Sequence, residues 1–87
     1  MSAEELTAKY ISAMEKAVKC MQRTKGTINI TETCVDEIVG YVTSYLKDAK
    51  YFRDQKKFET SLTSIAYCEG LLDALKLTGA IKIASAP

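Results

Sequence analysis

The reactive inventory of this chain is eleven acids, twelve bases, three cysteines and no histidine. Without an imidazole, Ser-His and Cys-His nucleophilic pairs are excluded, and a histidine-dependent helical ribonuclease fails for the same reason. Cys20, Cys34 and Cys68 are widely spaced and lack a CxxC pair. That pattern argues against a zinc site or a disulfide framework and favours buried, reduced thiols in a cytoplasmic protein. Among the acids, Glu37, Glu69 and Asp73, with Asp36 beside them, are the set that a helical hairpin would draw together. Converging carboxylates of this kind suit magnesium and a nucleotide phosphohydrolase. Against that reading, these acids fall near helix ends, where carboxylates are usually solvated, and no basic cluster is placed to receive phosphates. No metal and no catalytic residue is therefore expected. Lys9, Lys16, Lys19 and Arg23 share one helical face within about 80° and could meet RNA phosphates. Glu5 and Glu15 precede Lys9 and Lys19 by four residues. That spacing pairs charges along an isolated helix, so a solvated face is the preferred reading. "KGT" lacks the rest of a phosphate loop, and no cofactor is expected.

The elements that must position these groups are bounded by size and composition. At 87 residues the chain has room for one domain, read here as residues 1–80 with a C-terminal tail over 81–87 that frays or folds back. With 47% apolar and 26% charged residues it has the composition of an ordinary globular domain. A net charge of +1 gives no general attraction to nucleic acid or anionic membrane. The opening "MSAEEL" is acidic and no apolar run reaches about 18 residues, so the expectation is a cytoplasmic protein without export signal or membrane span.

Periodicity of about 100° per residue divides the chain into three amphipathic segments. Leu6, Tyr10, Met14, Ala17 and Met21 mark the first, expected over about residues 3–24, with Ser2 and Glu5 as a capping box and Gly26 as terminator. Val35, Ile38, Val42, Tyr45, Ala49 and Phe52 mark the second, flanked by Val39, Tyr41 and Leu46. Thr31 is its N-cap, and Ile30 with Val35 has hydrophobic-staple spacing. Phe58, Leu62, Ile65, Ala66, Leu72 and Leu75 mark the third, which Gly79 ends. The short "RDQKK" between the last two requires an antiparallel hairpin, with Phe58 near Phe52, Ile65 near Tyr45 and Glu69 near Tyr41. The expected fold is all-α, an up-down-up antiparallel three-helix bundle with the first helix on the same core. Residues 49–68 have the spacing of one tetratricopeptide hairpin, but that architecture needs about three repeats to stack.

Three groups within this frame invite a specific role. Ala66, Gly70 and Ala74 leave one edge of the third helix without bulk, which suits close approach of a neighbouring helix. Glu69 lies within about 40° of Phe58, Leu62 and Ile65, so it is expected inside the bundle, where a carboxylate needs a partner. Tyr10 and Tyr41 can donate to it, forming a polar network that fixes which helix faces which. Tyr51, Tyr67 and Leu71 lie away from the core stripes and form a candidate association surface.

"DAKYF" at 48–52 and "SIAYCEGLLDAL" at 64–75 resemble the signature of a small archaeal helical family of unknown function. Asp48, Tyr51, Tyr67, Glu69, Gly70 and Asp73 are the matching positions. The likeness covers about 30 residues strongly and the first helix by pattern only. Gln55 and Lys56 stand where the family has a glycine-containing turn, and Cys68 stands where alanine is common. The resemblance implies a short helical domain with no established activity, found in some chains beside a nucleotidyltransferase-like domain. Together these readings point to a non-catalytic interaction or regulatory module. Its expected partner is a second copy or another cytoplasmic protein, without membrane or nucleic acid. The two rivals are the magnesium phosphohydrolase and an RNA-binding accessory module using helix 1.

Overall fold

A computed structural model describes residues 1–84, so the end of the expected 81–87 tail lies outside the described residues. Three helices follow one another: α1 (Ala3–Cys20), α2 (Glu32–Asp54) and α3 (Phe58–Leu77). The all-α, three-helix class matches the expectation from periodicity. Among the described residues no helix is long and apolar enough to cross a membrane.

Capping chemistry sets the starts. The Ser2 hydroxyl accepts from the Glu5 amide at 3.1 Å and donates to the Glu5 carboxylate at 3.1 Å. Thr31 accepts from the Cys34 amide at 3.1 Å. The bonds from the Glu5 and Cys34 amides satisfy N–H groups that the first helical turn leaves without a partner. The ends of α2 and α3 share one device. Lys56 (φ 59°) and Gly79 (φ 77°) both take the left-handed conformation. After α2, the amide of Lys56 donates to the Arg53 carbonyl at 2.9 Å and that of Lys57 to Phe52 at 2.8 Å. After α3, the amides of Gly79 and Ala80 donate in the same way to Lys76 and Leu75 at 3.0 and 2.9 Å. Both are Schellman motifs. The unusual member is Lys56, because a side chain in this conformation costs about 1–2 kcal/mol.

Helix α1 stops at Cys20, four residues short of the expected end. Met21 is already extended, and Gly26, with φ 86°, bends the connector instead of capping the helix. Gln22, Arg23 and Thr24 have no apolar side to bury, so nothing offsets the cost of ordering another turn.

The packed pair is α2 with α3. Ser61 donates to the Ala49 carbonyl at 2.7 Å, and the Cys68 thiol to the Val42 carbonyl at 3.4 Å. Both pairs have the offset expected from Ile65 opposite Tyr45. On α2 the inward stripe is the expected one, with Val35, Ile38, Val42, Tyr45 and Phe52 half-buried and Ala49 only 2% exposed. On α3 the inward side is Ser61, Ser64, Ile65, Cys68, Leu71, Leu72 and Leu75. Small residues thus meet at the seam: Ala49 on one helix, Ser61, Ser64 and Cys68 on the other.

Helix α1 lies clear of this hairpin, with none of its Cα atoms within 8 Å of one in α2 or α3. Its apolar stripe is open, including Tyr10, Ile11, Met14, Val18 and Met21. The Cα radius of gyration is 16.1 Å, where a compact chain of this length has about 12 Å.

Candidate functional site

The two long sides of the hairpin carry the groups singled out in the sequence. Because the helices are antiparallel, their wheels assign the residues flanking the seam to one side or the other. On one side lie Tyr41 and Tyr45 from α2 with Tyr67 and Leu71 from α3. The Tyr45 and Tyr67 rings meet at 4.5 Å between centroids, inclined by 34°. The other side is aliphatic, with exposed Val39 and Leu46 from α2, and Phe58, Leu62 and half-buried Ile65 from α3. Glu69, Asp73 and Lys76 edge this side on α3, and Lys50 edges it on α2.

This geometry corrects the expectation for Glu69. The hairpin buries the α3 face centred on Cys68, and Glu69 lies about 100° around the helix from it. Glu69 is exposed. Tyr41 is level with Glu69 along the hairpin, as the register required, but on the opposite side of the seam, and it too is exposed. Tyr10, 65% exposed on α1, meets neither. The Tyr10, Tyr41 and Glu69 network therefore does not form within one chain. Ala66, Gly70 and Ala74 are likewise exposed on the outer side of α3, and a Cβ at Gly70 would meet nothing within 4 Å. Close approach does occur, through Ala49, Ser61 and Cys68. The signal for that seam was present in the spacing of 61, 64, 68, 71 and 75, but two serines and a cysteine hid it.

The candidate association residues are distributed unevenly. Tyr67 is 56% exposed and lines a shallow open depression with Gly70 and Leu71. Tyr51 is exposed on the outer side of α2, where its ring meets Phe52 edge-on at 5.3 Å. It does not join Tyr67 and Leu71 in one patch.

The chemical rivals are also placed. Among the described residues no group of three acids or cysteines is gathered that could hold a metal ion, so Glu37, Glu69 and Asp73 do not converge. Glu37 projects from the start of α2, away from the α3 edge that carries Glu69 and Asp73. An open groove does exist between the start of α2 and the end of α3, lined by Ile30, Glu32, Val35, Asp36 and the Thr78–Ala80 turn. Lys9, Lys16 and Lys19 are exposed on α1, but Arg23 is beyond its end, so the four bases do not share a helical face. The single ion pair among the described residues is Arg53 with Asp54 at 3.2 Å, so the Glu5 and Glu15 pairs with lysine are not closed. Of the cysteines only Cys68 is buried, while Cys20 and Cys34 are exposed, which corrects the expectation of three buried thiols.

No curated protein and no solved structure matches the chain. One family model does match, over residues 9–81, and it takes in both "DAKYF" and "SIAYCEGLLDAL". With most of its length inside that match, the chain belongs to the family described as protein of unknown function, DUF357.

Proposed function

We propose that this chain is a cytoplasmic helical interaction module that self-associates and has no catalytic centre of its own. The observation that carries the reading is the amount of apolar surface left open. The accessible surface is 7898 Å² for 9.6 kDa, where a compact monomer of that mass exposes about 5,100 Å². The excess includes an uncovered amphipathic helix and the aliphatic side of the hairpin, a combination typical of surfaces that meet a partner. Helical stability in proteins comes mostly from packing of an amphipathic face, so α1 needs a cover to persist. The family's lack of an assigned activity is compatible with an accessory role, and the likeness of the two motifs to chains that also carry a nucleotidyltransferase-like domain suggests what such a module would accompany.

Sedimentation velocity or light scattering over a hundredfold range of concentration tests the proposal. The expected result is a species of at least twice 9.6 kDa that dissociates on dilution. A compact single-chain mass throughout would overturn it.

A further inference from the structure

Charge is spread unevenly along this chain. Residues 16–31 carry four bases, Lys16, Lys19, Arg23 and Lys25, and no acid, against eight bases and eleven acids in the remainder. A net charge of +1 therefore hides a basic segment of +4 set in a chain that is otherwise −3. We propose that this segment, the outer face of α1 together with the connector that follows, is a docking strip for the phosphodiester backbone of a nucleic acid, held without reading its bases.

Helix α1 supplies the first part of the strip. Lys9, Lys16 and Lys19 lie about 140–160° around the helix from Met14, which is at the middle of the apolar stripe, so they share the face opposite that stripe. This face stays outward whether a second copy or the chain's own hairpin covers the stripe. The strip is thus separate from the surface that self-association uses. Glu5 and Glu15 have the spacing to neutralise Lys9 and Lys19, but the single ion pair among the described residues is Arg53 with Asp54. The Glu5 carboxylate accepts instead from the Ser2 hydroxyl, at the far end of α1 from the connector. Acids of the hairpin are remote as well, since α1 lies clear of α2 and α3.

The connector supplies the rest. Met21 leaves the helix as extended backbone, and Gln22, Arg23, Thr24, Lys25, Gly26 and Ile28 line an open depression. All four bases from Lys16 to Lys25 are exposed. They follow one another over roughly 20 Å of chain path, at about 1.5 Å per helical residue and 3.3 Å per extended one. A row of cations of this length suits a polymer that repeats its anion.

The same residues favour a nucleic acid over a lipid surface. A helix on an anionic bilayer buries its apolar stripe, which here lifts the lysines away from the headgroups. It also sets Glu4 and Glu15, about 80–100° from Met14, beside the headgroup layer. No aromatic residue lies between Tyr10 and Tyr41, so the strip has no platform on which bases could stack. Contact runs through phosphates alone, and such contact carries no sequence information.

Fluorescence anisotropy of a labelled oligouridylate, titrated with the full chain at several salt concentrations, tests the strip. Four phosphate contacts to a single strand predict a slope of roughly −3 in log K against log salt. Lys16→Gln with Lys19→Gln, and separately Arg23→Gln with Lys25→Gln, should each make the slope shallower by about 1.4 and weaken binding by more than about tenfold near 0.1 M salt. Lys47→Gln with Lys50→Gln on α2 should change neither quantity. Glutamine is a good helix former and these lysines are exposed, so helical circular dichroism should stay as in the wild type. An oligothymidylate should bind with a similar slope. Absence of salt-dependent binding, or an equal loss from the α2 pair, would overturn the strip. Equal competition by polyglutamate would overturn it in favour of an acidic protein, and tighter capture on phosphatidylserine–phosphatidylcholine vesicles in favour of a membrane. Sedimentation separates this site from self-association, because every glutamine variant should sediment as the wild type does. A monomeric wild-type chain that binds the oligonucleotide keeps the strip and removes only the association.

Discussion

At the scale of single residues, the seam between α2 and α3 depends on how little space its side chains take. Ala49 is 2% exposed and its carbonyl accepts the Ser61 hydroxyl at 2.7 Å. A larger side chain must push the helices apart at the point where that bond holds them. Ala49→Leu should therefore destabilise the hairpin by roughly 1–3 kcal/mol, read as a lower urea midpoint. Ser61→Ala should cost about 1 kcal/mol, because it removes one hydrogen bond at a partly buried site. Gly70 has the opposite character. Nothing surrounds it, and a helical glycine is less favourable than alanine by about 1 kcal/mol. Gly70→Ala should raise the melting temperature by roughly 4–8 °C and leave association unchanged. A loss of association in that variant would place a partner on the outer side of α3.

At the scale of elements, the three helices differ in how far their residues disclose their surroundings. Helix α2 could be read almost entirely from its sequence: its apolar positions form one stripe, Thr31 caps it, and the side that packs is the side that the stripe marks. Helix α3 could not. Apolar residues surround it, from Cys68 and Leu75 inside to Phe58, Leu62 and Leu77 outside. Periodicity alone therefore could not say which part faces α2 and which awaits another cover. Periodicity places Glu69 at its correct level along the hairpin but on the wrong face for this reason, since Glu69 is exposed. The turn was legible as a departure: Lys56 stands where the family resemblance expects glycine, and it holds the left-handed conformation that glycine adopts without strain. Lys56→Gly should stabilise the hairpin by about 1 kcal/mol, measured by thermal or urea unfolding, without altering the dimer constant.

At the scale of the whole molecule, the chain is an assembled hairpin and a detached amphipathic rod. Composition and length could announce a globular domain, but they carry no information about whether its core is closed by one chain or by two. The open surface and the 16.1 Å radius are what the proposed closure by a second copy rests on. If the second copy closes the core, thermal stability must depend on protein concentration, since the partner acts as a ligand for the folded form alone. The melting temperature should rise across a hundredfold increase in concentration, and Met14→Lys, which puts a charge into the α1 stripe, should abolish the dependence while preserving the α2 and α3 helices.

The tyrosine rings also give the molecule an optical readout. The chain has no tryptophan, so its near-ultraviolet signal comes chiefly from five phenols and two phenylalanines. Tyr45 and Tyr67, held 4.5 Å apart and inclined, sit on the hairpin, whereas Tyr10 sits alone on α1. Their coupled dichroism follows closure of the hairpin, and the part of the iodide quenching that Tyr10→Phe removes follows the covering of α1. The two events can thus be timed separately in unlabelled protein.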